Sequence, residues 1–247
     1  MKKYESCILV KSSSWKGINK LKKETAILYL TPTPIGNYDD ITLRALSILK
    51  EVDFIICEEY KPARRLLSHF NIDKELISLN EHNEKETAQE LANKILTCKS
   101  VALISDNGSP LISDPGYFLI DYCISYKINI VPLPGANSIT TALIASGLNI
   151  SKFYYYGWLS PKKNIRKQEL NKIKKIKELL ILMETPYRLL RILEDILKTF
   201  GEHQQIVLAY NLTMPDEKIF RDSVSKIYRI IKEKKLKGVF VLLVNNR

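Results

Sequence analysis

The feature that most constrains this chain is an alternation. Through residues 26–147, short apolar runs take turns with amphipathic stretches, and each run leads into a loop rich in Gly, Pro, Asp or Asn. The runs are AILYL (26–30), DFIIC (53–57), VALIS (101–105) and INIVPL (128–133). Runs this short, bounded by turn residues, read as strands buried on both faces. The stretches between them read as helices. Asp40 is placed to N-cap one whose apolar face is Ile41, Ala45, Ile48 and Val52. PARRLLSHF (62–70) has Pro62 in its first turn, ETAQELANKIL (86–96) turns Leu91, Ile95 and Leu96 inward, and YFLIDYCISY (117–126) follows the third run. A further helix runs from about Ser138 and ends at Gly147. Such alternation predicts a parallel sheet with helices on both faces, which binds ligands beyond the carboxyl ends of its strands. The loops TPTPIGN, EEYKPARR, SDNGSPLISDPG and LPGANS occupy that position.

After Gly147 the character changes. KFYYYGWL (152–159) is aromatic and strand-like, and SPKKNIRKQELNKIKKIKE (160–178) is a basic helix with Ile173, Ile176 and Leu180 on one side. LLILME (179–184) is a strand, and Pro186 opens a helix bearing Leu189, Leu193, Ile196 and Leu197. QIVLAYNL, KIFRDSV and GVFVLLV are three more strands. The expected architecture is α/β with two domains: an extension over 1–26, a parallel-sheet domain over 27–149, and an α+β mixed-sheet domain over 150–247. A chain of 247 residues, 45% hydrophobic, can bury a core in each.

Lys and Arg number 38 against 27 Asp and Glu, a net charge of +11. That balance suits a polyanionic partner, and equally a Lys-rich solvated surface. Cys7, Cys57, Cys98 and Cys123 form no CxxC pair, which points to a reduced cytosolic protein without structural zinc. No run approaches the ~20 apolar residues of a membrane span, and no signal-peptide core begins the chain. The basic stretch KSSSWKGINKLKK (11–23) reads as an arm.

Familiar nucleotide and hydrolase signatures are missing: there is no Walker motif, GxGxxG or GxSxG. His69, His82 and His203 lack metal-ligand spacing, so no metal is expected, and their scatter supports no Ser-His-Asp triad. The four loops stand out against this background. Their glycines allow backbone to approach a ligand closely. Asp106, at a strand end, is placed to accept hydrogen bonds from a ligand's hydroxyl or amine, whereas Asp114, ahead of Pro115-Gly116 and a helix, reads as a cap.

Taken in order, LYLTPTPIGNYDDITLRALSILKEVDFI, SLNEHNE, VALISDNGSPLISDPGY, VPLPGANS and METPYRLL resemble the ribosomal RNA small-subunit 2′-O-ribose methyltransferase I family of the tetrapyrrole-methylase superfamily. The resemblance runs from about Leu28 to Val244. It implies a two-domain fold with S-adenosylmethionine in the cleft between domains, a homodimer, and a cytidine ribose of the 16S decoding centre in the 30S subunit as substrate. By motif, it places the cofactor against Pro34, against Asp106, Gly108 and Ser109, and against Gly135 and Ser138. Met183 and Ala209 would close over the adenine.

Four departures stand beside the resemblance. Glu58-Glu59-Tyr60-Lys61 replaces the usual Glu-Asp-Thr-Arg. Ala209-Tyr210-Asn211-Leu212-Thr213-Met214 lacks the usual Arg, Glu and Lys. Asn137 stands where Ser is common, and the chain ends just after VFVLLV, short of the usual C-terminal extension.

A ribose hydroxyl is a weak acid, so a carboxylate near it would help methyl transfer. Glu58 ranks first for that role, with Asp106 and Glu59 also at strand ends; an ion pair with Arg64 or Arg65 is the competing reading of Glu58. Arg44, Lys61, Arg64, Arg65, Lys162 and Lys163, with the basic helix behind them, are the expected RNA contacts. Tyr154, Tyr155, Tyr156 and Trp158 suit either base stacking or a core strand. Two other readings stay open: a same-fold methyltransferase of a small, tetrapyrrole-like molecule, and a non-catalytic RNA-binding relative.

Overall fold

The structure is a computed structural model that describes residues 25–247; the basic N-terminal stretch lies outside them. Its first sheet contains β1 (Ile27–Thr31), β2 (Phe54–Cys57), β3 (Leu76–Ser78), β4 (Ser100–Ile104) and β5 (Asn129–Pro132). Their order is β3-β2-β4-β1-β5 and every pairing is parallel. β2 and β4 lie inside the sheet, where helices cover both faces, and this is why their sequences are continuous apolar runs. On one face, α3 (Glu84–Leu96) and α4 (Tyr117–Ser125) pack Leu91, Ile95, Leu119 and Cys123 against the strands. On the other, α1 (Leu43–Glu51) and α2 (Tyr60–His69) contribute Ala45, Leu49, Ala63 and Leu67.

Local details differ from expectation in three places. Thr42, not Asp40, caps α1: its hydroxyl oxygen accepts the Ala45 N–H at 3.1 Å, while Asp40 closes a separate 3-10 turn, Tyr38–Asp40. Asp114 does not cap α4, which starts after Gly116 with no side-chain cap bond. β3 is an additional edge strand, only three residues long.

The second sheet holds β6 (Phe153–Trp158), β7 (Leu179–Glu184), β8 (Gln205–Tyr210), β9 (Lys218–Ser223) and β10 (Phe240–Asn245) in the order β6-β7-β10-β8-β9. Only β6 and β7 pair in parallel. One face is covered by α6 (Lys163–Ile173), α7 (Leu189–Phe200) and α8 (Val224–Glu233). α6 stops at Ile173, so Ile176 lies beyond it and Leu180 belongs to β7. α8 was not among the expected elements, although Val224, Ile227 and Ile231 recur at helical spacing.

The opposite face of this sheet is covered from the first half of the chain. Ile139, Ala142 and Leu143 of α5 (Ser138–Ala145), with Ile35, pack on Leu179, Ile181, Val207 and Leu243. Arg221 on β9 fastens this contact, donating to the carbonyls of Ala145 and, at 3.1 Å, Ser146. Packing α5 onto the second sheet brings the loops after β1, β4 and β5 to face it.

Candidate active site

Three of those loops are knitted into one wall. Thr33 and Gly108 exchange backbone hydrogen bonds of 2.9 and 3.1 Å, and the buried Thr33 hydroxyl donates to the Ser105 carbonyl at 3.1 Å. Gly108 sits at φ +89°, and a Cβ there would lie 3.1 Å from Ile35. The positive φ favours glycine, and a side chain would also require Ile35 to shift by a few tenths of an ångström. The Ser109 hydroxyl donates to the Ala136 carbonyl at 3.3 Å. Asn137 caps α5, its side-chain oxygen accepting the N–H groups of Ile139 and Thr140 at 3.0 and 3.1 Å. The Asn at this departure position therefore does the capping work that Ser also does. A Cβ on Gly36 would stand 2.7 Å from the Leu212 carbonyl oxygen, so the TPIGN loop also lies directly on the segment after β8.

Between this wall and the second sheet lies a cavity of about 370 Å³. Asp106, Gly108, Ser109 and Ser138 line one side, and Met183 and Ala209 the other. Glu58, Asp114 and Glu184 also face it, and among the described residues no Lys or Arg does. Glu184 is 3% exposed and is neutralised by Arg188 at 2.8 Å. Glu58, Asp106 and Asp114 carry no such compensation. Among the described residues, none of them has a cationic side chain within ion-pair distance, so the Glu58 pair with Arg64 or Arg65 does not form.

Crowded carboxylates in a partly buried site resist ionisation. Burial pushes the Glu58 carboxyl up to about 7, and the charges of Asp114 and Asp106 add to the rise. Asp114 is raised to about 6, mainly by burial, with the Ser105 hydroxyl opposing the shift. Burial raises Asp106 too, checked by the Glu59 N–H, which donates to it at 3.2 Å. The neighbouring Cys57 thiol is held at about 12 by burial and by the charges of Asp106 and Glu59, so it is no nucleophile.

A second cavity, about 430 Å³, adjoins the first. Both are lined by Asp106, Asn107 and Met214. Pro34 lines this second space rather than the first, together with Tyr38, Lys61 and Arg65. Gly135 lines neither cavity: a Cβ there would lie 2.7 Å from Pro32, so its role is loop packing.

The remaining expected RNA contacts are scattered. Arg44 lies on α1, and Arg64 lies over the Tyr60 ring at 5.5 Å; both are exposed outside the cavities. Lys162 and Lys163 are exposed at the start of α6. Arg166 leaves the basic set, because it is 2% exposed and paired with Asp195 at 2.7 Å. In β6, a bulge between Tyr155 and Gly157 splits the aromatics. Tyr155 and Tyr156 pack inward, while Trp158 faces the first cavity. Ser113, Asp114, Asn107 and Glu184 line the cavities without having been expected there. The signal for Ser113 and Asp114 lay in the SDPG tetrapeptide itself, whose Asp points into the site instead of capping α4.

Among the described residues, no group of three or more His, Cys, Asp or Glu could hold a metal ion, and no helix is long and apolar enough to cross a membrane.

Two sheets with a ligand cleft between them define a class. The family model for tetrapyrrole (corrin/porphyrin) methylases matches residues 28–228, and the chain belongs to that family. Within it, the chain is 43% identical over 221 residues to the ribosomal RNA small subunit methyltransferase I of Vibrio cholerae, covering 89% of this chain and 77% of that protein. The protein of the same name from Escherichia coli O157:H7 is 42% identical over 219 residues, covering 88% and 77%. Among solved structures, uroporphyrin-III C-methyl transferase from Thermus thermophilus, complexed with S-adenyl homocysteine, shares the fold at 15% identity and TM-score 0.60, covering 88% of this chain and 96% of that one.

Proposed function

We propose that this chain is an S-adenosylmethionine-dependent methyltransferase that methylates the 2′-hydroxyl of a cytidine ribose in the 16S RNA of the small ribosomal subunit, at the decoding centre. The observation that carries the reading is the charge of the inter-sheet cavity: among the described residues it is lined by three uncompensated carboxylates and no cationic side chain. A sulfonium is a cation, and such a cavity favours it. The names of the relatives support the ribosomal acceptor.

In this reading Asp106 anchors the cofactor's polar groups. Gly108, Ser109 and Ser138 present backbone to it, and Met183 and Ala209 flank the adenine. Pro34 and Gly135 shape the loops that hold these groups. When bound, the cofactor supplies an activated methyl group. The chain's own contribution is positioning: it holds the acceptor oxygen in line with that methyl while excluding water. Glu58 accepts the hydroxyl proton, with Asp106 beside it, and a carboxyl raised to about 7 is well matched to that exchange near neutrality. Arg44, Lys61, Arg64, Arg65, Lys162 and Lys163 contact phosphates and fix the RNA's register.

The departure at Tyr210–Met214 is compatible with this. Tyr210 and Asn211 are buried at 3% and 8% exposure, and the Asn211 amide donates to Asp216 at 2.8 Å, so they serve the scaffold. The enzyme works in the cytoplasm as a homodimer of two-domain protomers, divided near 149/150, with α5 packed across the divide; the exposed apolar side chains Leu43 and Ile144 suit a dimer contact.

The test is label transfer from methyl-tritiated S-adenosylmethionine to isolated small subunits. Label should appear in rRNA and be released as 2′-O-methylcytidine on digestion. Cofactor binding without label in rRNA would remove the ribosomal acceptor. No binding at millimolar cofactor would remove the enzyme reading altogether.

A further inference from the structure

The second cavity has the chemistry of a nucleotide site. It is bounded on one side by Lys61, Pro62 and Ala63, the first turn of α2, and Arg65 lies one turn further on. Residues four apart share a helix face, so both cations address the same space. The amino end of a helix adds a partial positive charge that favours phosphate. Tyr38 also lines the cavity, near the carboxyl end of the same helix. Its ring is braced by His69 at 4.5 Å and by Phe70 at 6.3 Å between centroids, which fixes it as a platform. About 430 Å³ falls within the size range of small-ligand sites.

Charge separates the two cavities. Among the described residues, the charged side chains of the inter-sheet cavity are carboxylates, which would repel a phosphate, whereas the second presents two cations beside the shared Asp106. They meet at Asp106, Asn107 and Met214, so a group bound in one lies against a wall of the other.

We propose that this cavity receives the acceptor nucleotide extruded from the RNA. Lys61 and Arg65 hold a phosphate flanking the acceptor, Tyr38 stacks on its base, and the ribose 2′-hydroxyl is presented at Asp106 toward the methyl donor. Extrusion places a ribose hydroxyl where a folded RNA surface could not bring it, as enzymes that act on single bases do with their targets. The inference rests on the rRNA reading for its occupant, but its chemistry, a pyrimidine nucleotide, is tested separately.

The experiment measures binding of cytidine 5′-monophosphate to the full chain saturated with S-adenosylhomocysteine, by ligand-observed NMR. Cytidine is the phosphate-free control. The variant is Lys61→Ala with Arg65→Ala; both side chains are exposed and outside every ion pair of the described residues, so the fold should be retained. A second variant is Tyr38→Leu. The monophosphate should bind, cytidine should bind at least about tenfold more weakly, and the double variant should lose at least about tenfold in monophosphate affinity while S-adenosylmethionine affinity stays within about twofold. Tyr38→Leu should weaken monophosphate and cytidine by the same factor. The inference is overturned if the monophosphate fails to bind, or if it binds equally well to the double variant. Binding with these losses, but without label in rRNA, would leave the nucleotide site standing and overturn the ribosomal acceptor. Methylation of the free monophosphate as fast as of small subunits would show that the occupant is a free nucleotide and overturn the RNA assignment.

Discussion

Two cavities share one short wall and differ in charge. The inter-sheet cavity is built from strand-end loops that face a β-sheet, and among the described residues its ionisable groups free of a partner are all acidic. The neighbouring cavity is built against a helix start, and Lys61 and Arg65 make it basic. The first suits a sulfonium, the second a phosphate, and the wall between them carries Asp106. A methyl donor that is a cation and an acceptor that is a polyanion can thus be held side by side without competing for one set of side chains.

The largest expected effect falls on the carboxylate base in the inter-sheet cavity. Glu58→Gln should lower kcat on small subunits by about 10²- to 10⁴-fold, the usual contribution of a positioned base. The base form exists above the carboxyl's pKa, so wild-type kcat/KM for S-adenosylmethionine, which reports the free enzyme, should climb with pH to a limb near 7, and the variant should lose that limb. Unchanged kcat would move the base elsewhere.

Asp106→Ala should weaken S-adenosylmethionine by about 10- to 100-fold, as expected for losing hydrogen bonds to a charged group. Unchanged affinity in titration calorimetry would mean that another carboxylate is the anchor. A milder effect tests the charge directly. A bound sulfonium should lower the pKa of Glu58, so S-adenosylmethionine binding releases protons that the neutral sulfide product does not displace. Between pH 6 and 8, its affinity should therefore gain about 3- to 10-fold more than that of S-adenosylhomocysteine. Parallel pH profiles for the two would break the comparison between acidic and basic cavities.

The smallest effect is on stability. Asp114 has a folded pKa of about 6, above its unfolded value, so the native state holds its proton longer. Stability is thus lost as pH rises from about 4 to 6, and the penalty is complete above that window. Asp114→Asn should raise Tm by about 1–2 °C at pH 8, after solvent screening, and by nothing at pH 4. An equal gain at both pH values would show that the carboxylate's charge is not the cause.

Much of this was legible in the chain. The parallel sheet announced itself because interior strands such as VALI carry apolar residues on both faces, and the turn residues after them marked the ligand side. The sign of each cavity was not legible. Glu58 is far in sequence from Asp106 and Asp114, which share one loop, and joins them as one acidic group only when β2 and β4 pair as neighbours. Asp114 misled because Asp before Pro-Gly and a helix has the local form of a cap, yet Gly116 at φ +132° turns the chain so that no side chain caps α4. Lys61 and Arg65 looked equivalent to Arg64, but helix phase puts only the first two in the cavity. Arg166 counted toward a basic surface until Asp195 on a different helix paired with it.

A crystal structure of the chain with S-adenosylhomocysteine and cytidine 5′-monophosphate together tests the division of labour most directly. The account predicts the homocysteine product against Asp106, Gly108 and Met183, and the nucleotide against Tyr38, Lys61 and Arg65, with its ribose turned to Asp106. Both ligands in the inter-sheet cavity, with the basic cavity left empty, would contradict it.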